Sequence, residues 1–137
     1  MQKRVRGTGR HEPIPDILNE ASGQVVQAAV EVHRHLGPGL LESVYETALR
    51  HELELRGLSA HEQVSVSVRY KDIEIGGQRL DLLVDPGIIV ELKAVESVLP
   101  IHKAQLLSYL KTTGHRVGLL INFNVPLLRD GVTRMVN

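Results

Sequence analysis

Two charged residues interrupt an apolar run, Ile88-Ile89-Val90-Glu91-Leu92-Lys93-Ala94-Val95. In a strand, residues two apart share a face, so Glu91 and Lys93 point the same way. Asp81 raises the same question among Leu80, Leu82, Leu83 and Val84. Burying such charges unpaired is expensive. If Asp85-Pro86-Gly87 is a three-residue hairpin loop, Val84 pairs with Ile88. Counting back puts Asp81 opposite Glu91 and Arg79 opposite Lys93. Carboxylates that close repel one another unless a proton or a cation intervenes. Two hard oxygen donors on a rigid sheet suit Mg²⁺ or Mn²⁺, ions that keep positions open for water and phosphate oxygens. Lys93 could orient or deprotonate a water, or neutralise charge developing on a phosphate. Together these are the parts of metal-assisted phosphodiester hydrolysis. A buried ion pair of Lys93 with Glu91 or Asp81, without catalysis, uses the same residues.

Further polar groups fall on helical spacings. Glu42 and Tyr45 are three apart and share a helix face. Glu42 also stands near a helix start, where its charge complements the dipole. His102, Gln105 and Tyr109 form a second stripe at i, i+3 and i+7, with Leu106, Leu107 and Leu110 turned elsewhere. A polar stripe is usually a solvent face, but one made of His, Gln and Tyr rather than Lys and Glu is less usual.

The elements that position these groups follow from periodicity. Leu18, Ala21, Val25, Ala29, Val32 and Leu36 give a first helix from about residue 16, stopped by Gly37-Pro38-Gly39. A second helix is predicted over about 41–56, before Gly57. Val64, Val66 and Val68 alternate with polar residues as a strand. Gly76-Gly77 reads as a turn into a second strand over about 78–84, and a third spans 88–95. Pro100 precedes a helix over about 101–113, closed by Gly114. A buried strand follows over 116–123, with a short one near 132–136. The first three strands should form an antiparallel meander. The helix crossing to the fourth makes a βαβ unit with parallel neighbours. The predicted class is α/β or α+β with one mixed sheet.

Composition sets bounds. The 137 residues make one domain's worth of chain, and 42% are hydrophobic, as in globular proteins. Formal net charge is zero, with 16 basic and 16 acidic residues, which argues against a strongly basic coat protein. Cysteine is absent, so disulfides, Cys-ligated zinc, iron–sulfur clusters and thiol catalysis are excluded. Four aromatics and no Trp speak against an extended base-stacking platform. No apolar run is long enough for a membrane span, and the basic start lacks the apolar core of a secretory signal. A cytoplasmic protein without membrane contact is expected. Lys3, Arg4, Arg6 and Arg10 make residues 1–15 a flexible basic arm, either a solvated tail or a contact for backbone phosphates. Residues 16–137 form the single domain.

These residues carry a resemblance. Asp81 followed by Glu91-Leu92-Lys93 resembles the D…(D/E)-x-K signature of the PD-(D/E)XK nuclease superfamily. Gly39-Leu40-Leu41-Glu42-Ser43-Val44-Tyr45 matches the G-x-x-E-x-x-Y motif of a family of small proteins assigned to that superfamily. Gln105 and Tyr109 match the Q-x-x-x-Y helix of its RecB-like exonuclease branch. The resemblance implies an α/β, restriction-endonuclease-like core, a mixed sheet of four to five strands flanked by helices. It implies a Mg²⁺- or Mn²⁺-dependent nuclease acting on nucleic acid, DNA before RNA. Asp81 and Glu91 would be the principal metal ligands, with the backbone carbonyl of Leu92 completing the position. Glu42 would help bind the metal or hold one of its waters. Lys93 would handle the attacking water or the transition-state charge. Gln105 and Tyr109 would orient the site or the strand, with Tyr45 and His102 as further orienting candidates. Two departures matter. The missing cysteines exclude the cluster some RecB-like relatives carry. Leu80 stands where the nominal proline would be.

Two other functions use the same residues: a non-catalytic interaction module on a nuclease fold, and a metal-dependent phosphoesterase acting on a small nucleotide. A homodimer and a protein partner stay open. His33 and His35 read as helix-end cations, and Asn122 and Asn124 as strand-end residues.

Overall fold

The computed structural model describes residues 12–137. Most of the predicted arm, residues 1–11, lies outside the described residues. The elements run α1 (Asp16–Leu36), α2 (Glu42–Leu55), β1 (Ala60–Tyr70), β2 (Ile73–Val84), β3 (Ile88–Lys93), α3 (Pro100–Thr113), β4 (Val117–Asn122), a 3₁₀ turn (Leu128–Gly131) and β5 (Val132–Val136). One sheet holds all five strands in the order β1-β2-β3-β4-β5. The β1-β2-β3 meander is antiparallel, β3 and β4 are parallel, and β5 returns antiparallel. This is the predicted mixed sheet.

The sheet is covered on both faces. Ala21, Val25, Ala28, Ala29 and Val32 of α1, with Tyr45, Leu49 and Leu53 of α2, pack on Leu82, Val84, Ile88, Val90 and Leu92. On the opposite face Leu106, Tyr109 and Leu110 of α3 pack on Val66, Leu80, Ile89 and Leu120. The near-continuous apolar character of β3 and β4 follows, because a strand buried on both faces does not alternate. α3 can approach β4 closely because Gly118 carries no side chain. A Cβ there would lie 2.8 Å from Leu106 Cδ1.

Three sequence expectations need correction. Gly76-Gly77 is not a turn. Both glycines lie inside β2, and the chain reverses at Lys71-Asp72, with Lys71 at φ 55°. Val66 pairs with Gln78 and Val68 with Ile75, so two residues of β2 oppose one of β1. That is a β-bulge, which Gly77 accommodates at φ 110°. The hairpin is therefore longer than predicted, reaching from Ala60 to Val84. The third strand is shorter, ending at Lys93 rather than at residue 95. Beyond it the buried Asn122 side chain imitates a neighbouring strand. Its Nδ2 donates to Val95 O at 2.9 Å, and its Oδ1 accepts from the N–H of Val95 and of Asn124.

Gly118→Val should destabilise the fold by about 1–3 kcal/mol, because the added methyls must displace a packed Leu106. Urea denaturation would show a lower midpoint with an unchanged slope.

Candidate active site at the parting of two strands

The hairpin register is the predicted one. Val84 pairs with Ile88, Leu83 with Ile89 and Leu82 with Val90. The ladder stops there, one residue short of Asp81 and Glu91. In its place the two side chains reach across. The N–H of Asp81 donates to Glu91 Oε2 at 2.9 Å, and the N–H of Leu92 donates to Asp81 Oδ2 at 2.9 Å. Each carboxylate takes a main-chain donor from the other strand, so the strands part without orphaning those two amides.

A change of face accompanies the parting. Leu82 belongs to the core under α1 and α2, yet Leu80 belongs to the core under α3. Two residues apart in an ordinary strand would share one face. On β1, Ala60 packs towards the first core while Val64 and Val66 pack in or against the second. The switch coincides with Gln63, at φ 51°, a conformation uncommon for residues other than glycine. Glu62 pairs with Leu82 and Val64 with Leu80, leaving Gln63 facing Asp81 between them. Asp81 therefore sits where β2 rolls from one core to the other.

Electrostatics ties the surrounding acids together. Glu91 is only 4% exposed. Burial first, then the charge of Asp81, push its carboxyl up to about 8. Burial also raises Asp81, opposed by the Leu92 N–H and by Lys93. Glu42, the first residue of α2, is raised by burial and then by Asp81. Glu46, one turn on, is raised by burial and feels Asp81, Glu62 and Glu42, while Gln63 Nε2 donates to its carboxylate. Lys93 is the cation that counters Glu42, Asp81 and Glu91. It makes no ion pair within 4 Å among the described residues, so the buried-pair alternative is not what the fold adopts.

On the other face Tyr109 is nearly buried. Its hydroxyl donates to Gln78 Oε1 at 2.9 Å and accepts from Gln105 Nε2 at 3.2 Å. Burial, then Glu91 and Asp81, raise its phenol, so it lies within the field of the acids. His102 Nδ1 accepts the Leu99 N–H at 3.0 Å and so closes the start of α3. Tyr45 is placed differently from the expectation. It is 0% exposed and stacks on Phe123 with ring centroids 4.5 Å apart. Its hydroxyl donates to Gly37 O at 2.6 Å and accepts from the Leu40 N–H at 3.1 Å. Both hydroxyl functions fasten the loop that presents Glu42. His33, read as a helix-end cation, is buried with Nε2 2.7 Å from Val125 O.

The structure thus gathers Asp81, Glu91, Lys93 and Glu42, brings Tyr109 within their field with Gln105 bonded to its hydroxyl, and keeps Tyr45 in the core. Sequence reasoning missed Glu46 and Gln78. The i+4 spacing from Glu42 would have found Glu46. Gln78 was hidden by reading Gly76-Gly77 as a turn. A cavity of about 580 Å³ beside His33, Pro38 and Leu127 contains none of these acids.

A family model described as the PD-(D/E)XK nuclease superfamily matches residues 19–135. The chain belongs to this superfamily. No curated protein and no solved structure gives a significant match. Membership points to nuclease activity, and so to nucleic acid as the class of substrate. No helix among the described residues is long and apolar enough to cross a membrane.

Two outcomes follow. Without a cation, Glu91 holds a proton in the fold from pH 4.5 up to about 8 but loses it on unfolding. The folded state then binds more protons, so the stability contributed below pH 4.5 is lost as pH rises to about 8. Asp81, Glu42 and Glu46 act in the same direction. Thermal melts in chelator should show Glu91→Gln raising Tm at pH 8 and leaving it nearly unchanged at pH 4.5. Tyr45→Phe should lower stability by about 1–3 kcal/mol by stranding Gly37 O and the Leu40 N–H, read by urea titration.

Proposed function

We propose that this protein is a metal-dependent nuclease that hydrolyses phosphodiester bonds of nucleic acid, DNA before RNA, without sequence specificity. The observation that carries this reading is the Asp81–Glu91 pair at the parted strands, with Lys93 beside it and committed to no ion pair among the described residues.

The donor set fits Mg²⁺ or Mn²⁺. Burial raises all four carboxylates, the charge of Asp81 raises Glu42, Glu46 and Glu91 further, and Lys93 counters Glu42, Asp81 and Glu91. Such a cluster relaxes when a divalent cation arrives. Asp81 Oδ1 and Glu91 Oε1 accept no hydrogen bond among the described residues. No group of three or more His, Cys, Asp or Glu residues among the described residues is arranged to hold an ion alone. Mg²⁺ is usually held by one or two carboxylates, waters and substrate phosphates rather than by an all-protein cage. Asp81 and Glu91 would hold it, with the Leu92 carbonyl, and Glu42 would support it from α2. When bound, such an ion polarises the phosphoryl oxygens and helps generate the nucleophile from water.

The chain's own groups do the rest. Cross-strand hydrogen bonds fix the two carboxylates, so no reorganisation is needed as charge develops. Lys93 meets the negative charge that accumulates on the phosphorus oxygens, or steers the attacking water. Water oxygen bonds to phosphorus and the bridging P–O bond breaks; of the water's two hydrogens, one ends on the departing alkoxide and the other on the new phosphate or in solvent. Tyr109, held by Gln78 and Gln105, and His102 at the start of α3 orient the strand.

The G-x-x-E-x-x-Y run and the Gln105–Tyr109 spacing support a narrower placement near the RecB-like branch, and with it DNA as substrate. Residues 16–137 are read as one catalytic domain. The basic residues of the arm, with Lys103, Lys111 and Arg116, are candidate phosphate contacts. A nuclease-fold module without catalysis is disfavoured because Asp81, Glu91 and Lys93 are all present.

Cleavage of linear and circular DNA and of RNA should require Mg²⁺ or Mn²⁺ and stop in EDTA. Lys93→Ala should lower the rate roughly 100- to 1,000-fold while the chain stays folded. Wild-type rates in Lys93→Ala, Asp81→Ala and Glu91→Ala alike would overturn the assignment. Affinity for DNA should fall steeply with salt, and affinity flat with salt would remove the phosphate contacts.

A further inference from the structure

We propose that the groove between the β1–β2 hairpin and α3 binds an unpaired nucleobase of the substrate strand, so that the protein acts on single-stranded or locally melted nucleic acid. This rests on the nuclease reading and extends it to the form of the substrate.

The groove has a volume of about 330 Å³, at the low end for ligand sites. Its walls come from two elements. Val68 of the hairpin, 36% exposed, and Ile101 of the first turn of α3, 66% exposed, offer flat aliphatic surface. Gln78, Gln105, Ser108 and Thr112 line it as well. The bulge at Gly77 shapes this arrangement. Pairing of β2 with β1 resumes at Gln78, whose side chain meets Tyr109 of α3.

The lining chemistry selects a base rather than a phosphate. No Lys, Arg, Asp or Glu lines the groove, whereas a phosphate track is cationic. What is offered instead is neutral and two-sided. Gln78 uses its Oε1 towards Tyr109, and its amide N–H₂ has no partner among the described residues. Gln105 uses its Nε2 towards the same hydroxyl, and its Oε1 accepts nothing among the described residues. His102 Nδ1 already accepts the Leu99 N–H, so the neutral ring carries its proton on Nε2 as a donor. Amide donor, amide acceptor and hydroxyls in one groove with aliphatic surface suit a flat heterocycle with mixed hydrogen-bonding edges.

The pairing state follows from size and position. A base can lay its face on Val68 and Ile101 only after leaving the stack. Tyr109 lines this groove and also feels Glu91 and Asp81, so the groove adjoins the acids.

The test uses the Glu91→Gln variant of this 137-residue chain, which should bind without cutting. Affinity for a fluorescein-labelled oligothymidylate ten nucleotides long is compared with that for a duplex of equal length by anisotropy, in magnesium. Single strand should bind more tightly. Adding Val68→Ser with Ile101→Ser should weaken single-strand binding roughly tenfold or more, as expected for loss of one stacked base, and leave duplex binding unchanged. Both positions are exposed, so the fold should persist. Gln78→Ala should weaken the single strand in the same selective way. Tighter duplex binding, or equal effects of these variants on both substrates, would overturn the proposal. Selective single-strand binding by a chain whose wild type cuts nothing would sustain the groove and sink the nuclease reading. Metal-dependent cleavage with groove variants indifferent to strandedness would do the reverse. No binding to either probe would sink both.

Discussion

Two carboxylates that ought to repel each other are held together by the backbone of the hairpin that carries them. Asp81 accepts the Leu92 N–H, and Glu91 accepts the Asp81 N–H. These bonds replace the next rung of the β2–β3 ladder. They keep main-chain amides satisfied while opening a gap in the middle of a sheet. The same exchange binds two acids in a poorly solvated place, which is why burial pushes both upward and Glu91 to about 8. In isolation the arrangement is unfavourable. It makes sense if a cation normally shares it, because one divalent ion relieves the repulsion that the fold creates.

The rest of the molecule serves that gap. The sheet rolls from one core to the other at Gln63 and Asp81, which lets α2 approach from one face and α3 from the other. α2 delivers Glu42 and Glu46, and the buried Tyr45 hydroxyl ties down the Gly37–Leu40 loop that precedes them. α3 brings Tyr109 within the field of the acids, and Gln78 anchors it across the groove. Asn122 secures the chain just beyond Lys93, so the lysine leaves its strand in a fixed direction. Glu91 and Lys93 stand on one strand and Asp81 on its neighbour, so their spacing is set by the sheet rather than by a loop.

Much of this was legible in the sequence. Charges inside an apolar strand are conspicuous because burial makes them expensive. The short Asp85-Pro86-Gly87 loop fixed the register that opposes Asp81 to Glu91. Helices announced themselves by period and by the glycines that end them. Other features were not legible for identifiable reasons. Gly76-Gly77 has the composition of a turn, and only its pairing partners reveal a bulge. The side-chain mimicry by Asn122 ends β3 two residues before its apolar pattern does. Tyr45 follows Glu42 by three residues, an offset of about 60° around the helix, and that is enough to turn its ring into the core. The reversal at Gln63 leaves no local mark, because glutamine at positive φ is held by its surroundings.

The central claim is that the parted strands form a metal-ion site rather than a buried structural pair. Titrating Mn²⁺ into the metal-free protein by calorimetry, in buffers of differing ionisation heat, tests it most directly. Protons released on binding appear as a buffer-dependent heat. The account predicts millimolar or tighter binding at pH 7 that expels a proton from Glu91. The release should fade above about pH 8 and disappear in Glu91→Gln. Absence of binding, or binding that releases no proton and survives Asp81→Ala with Glu91→Ala, would contradict it.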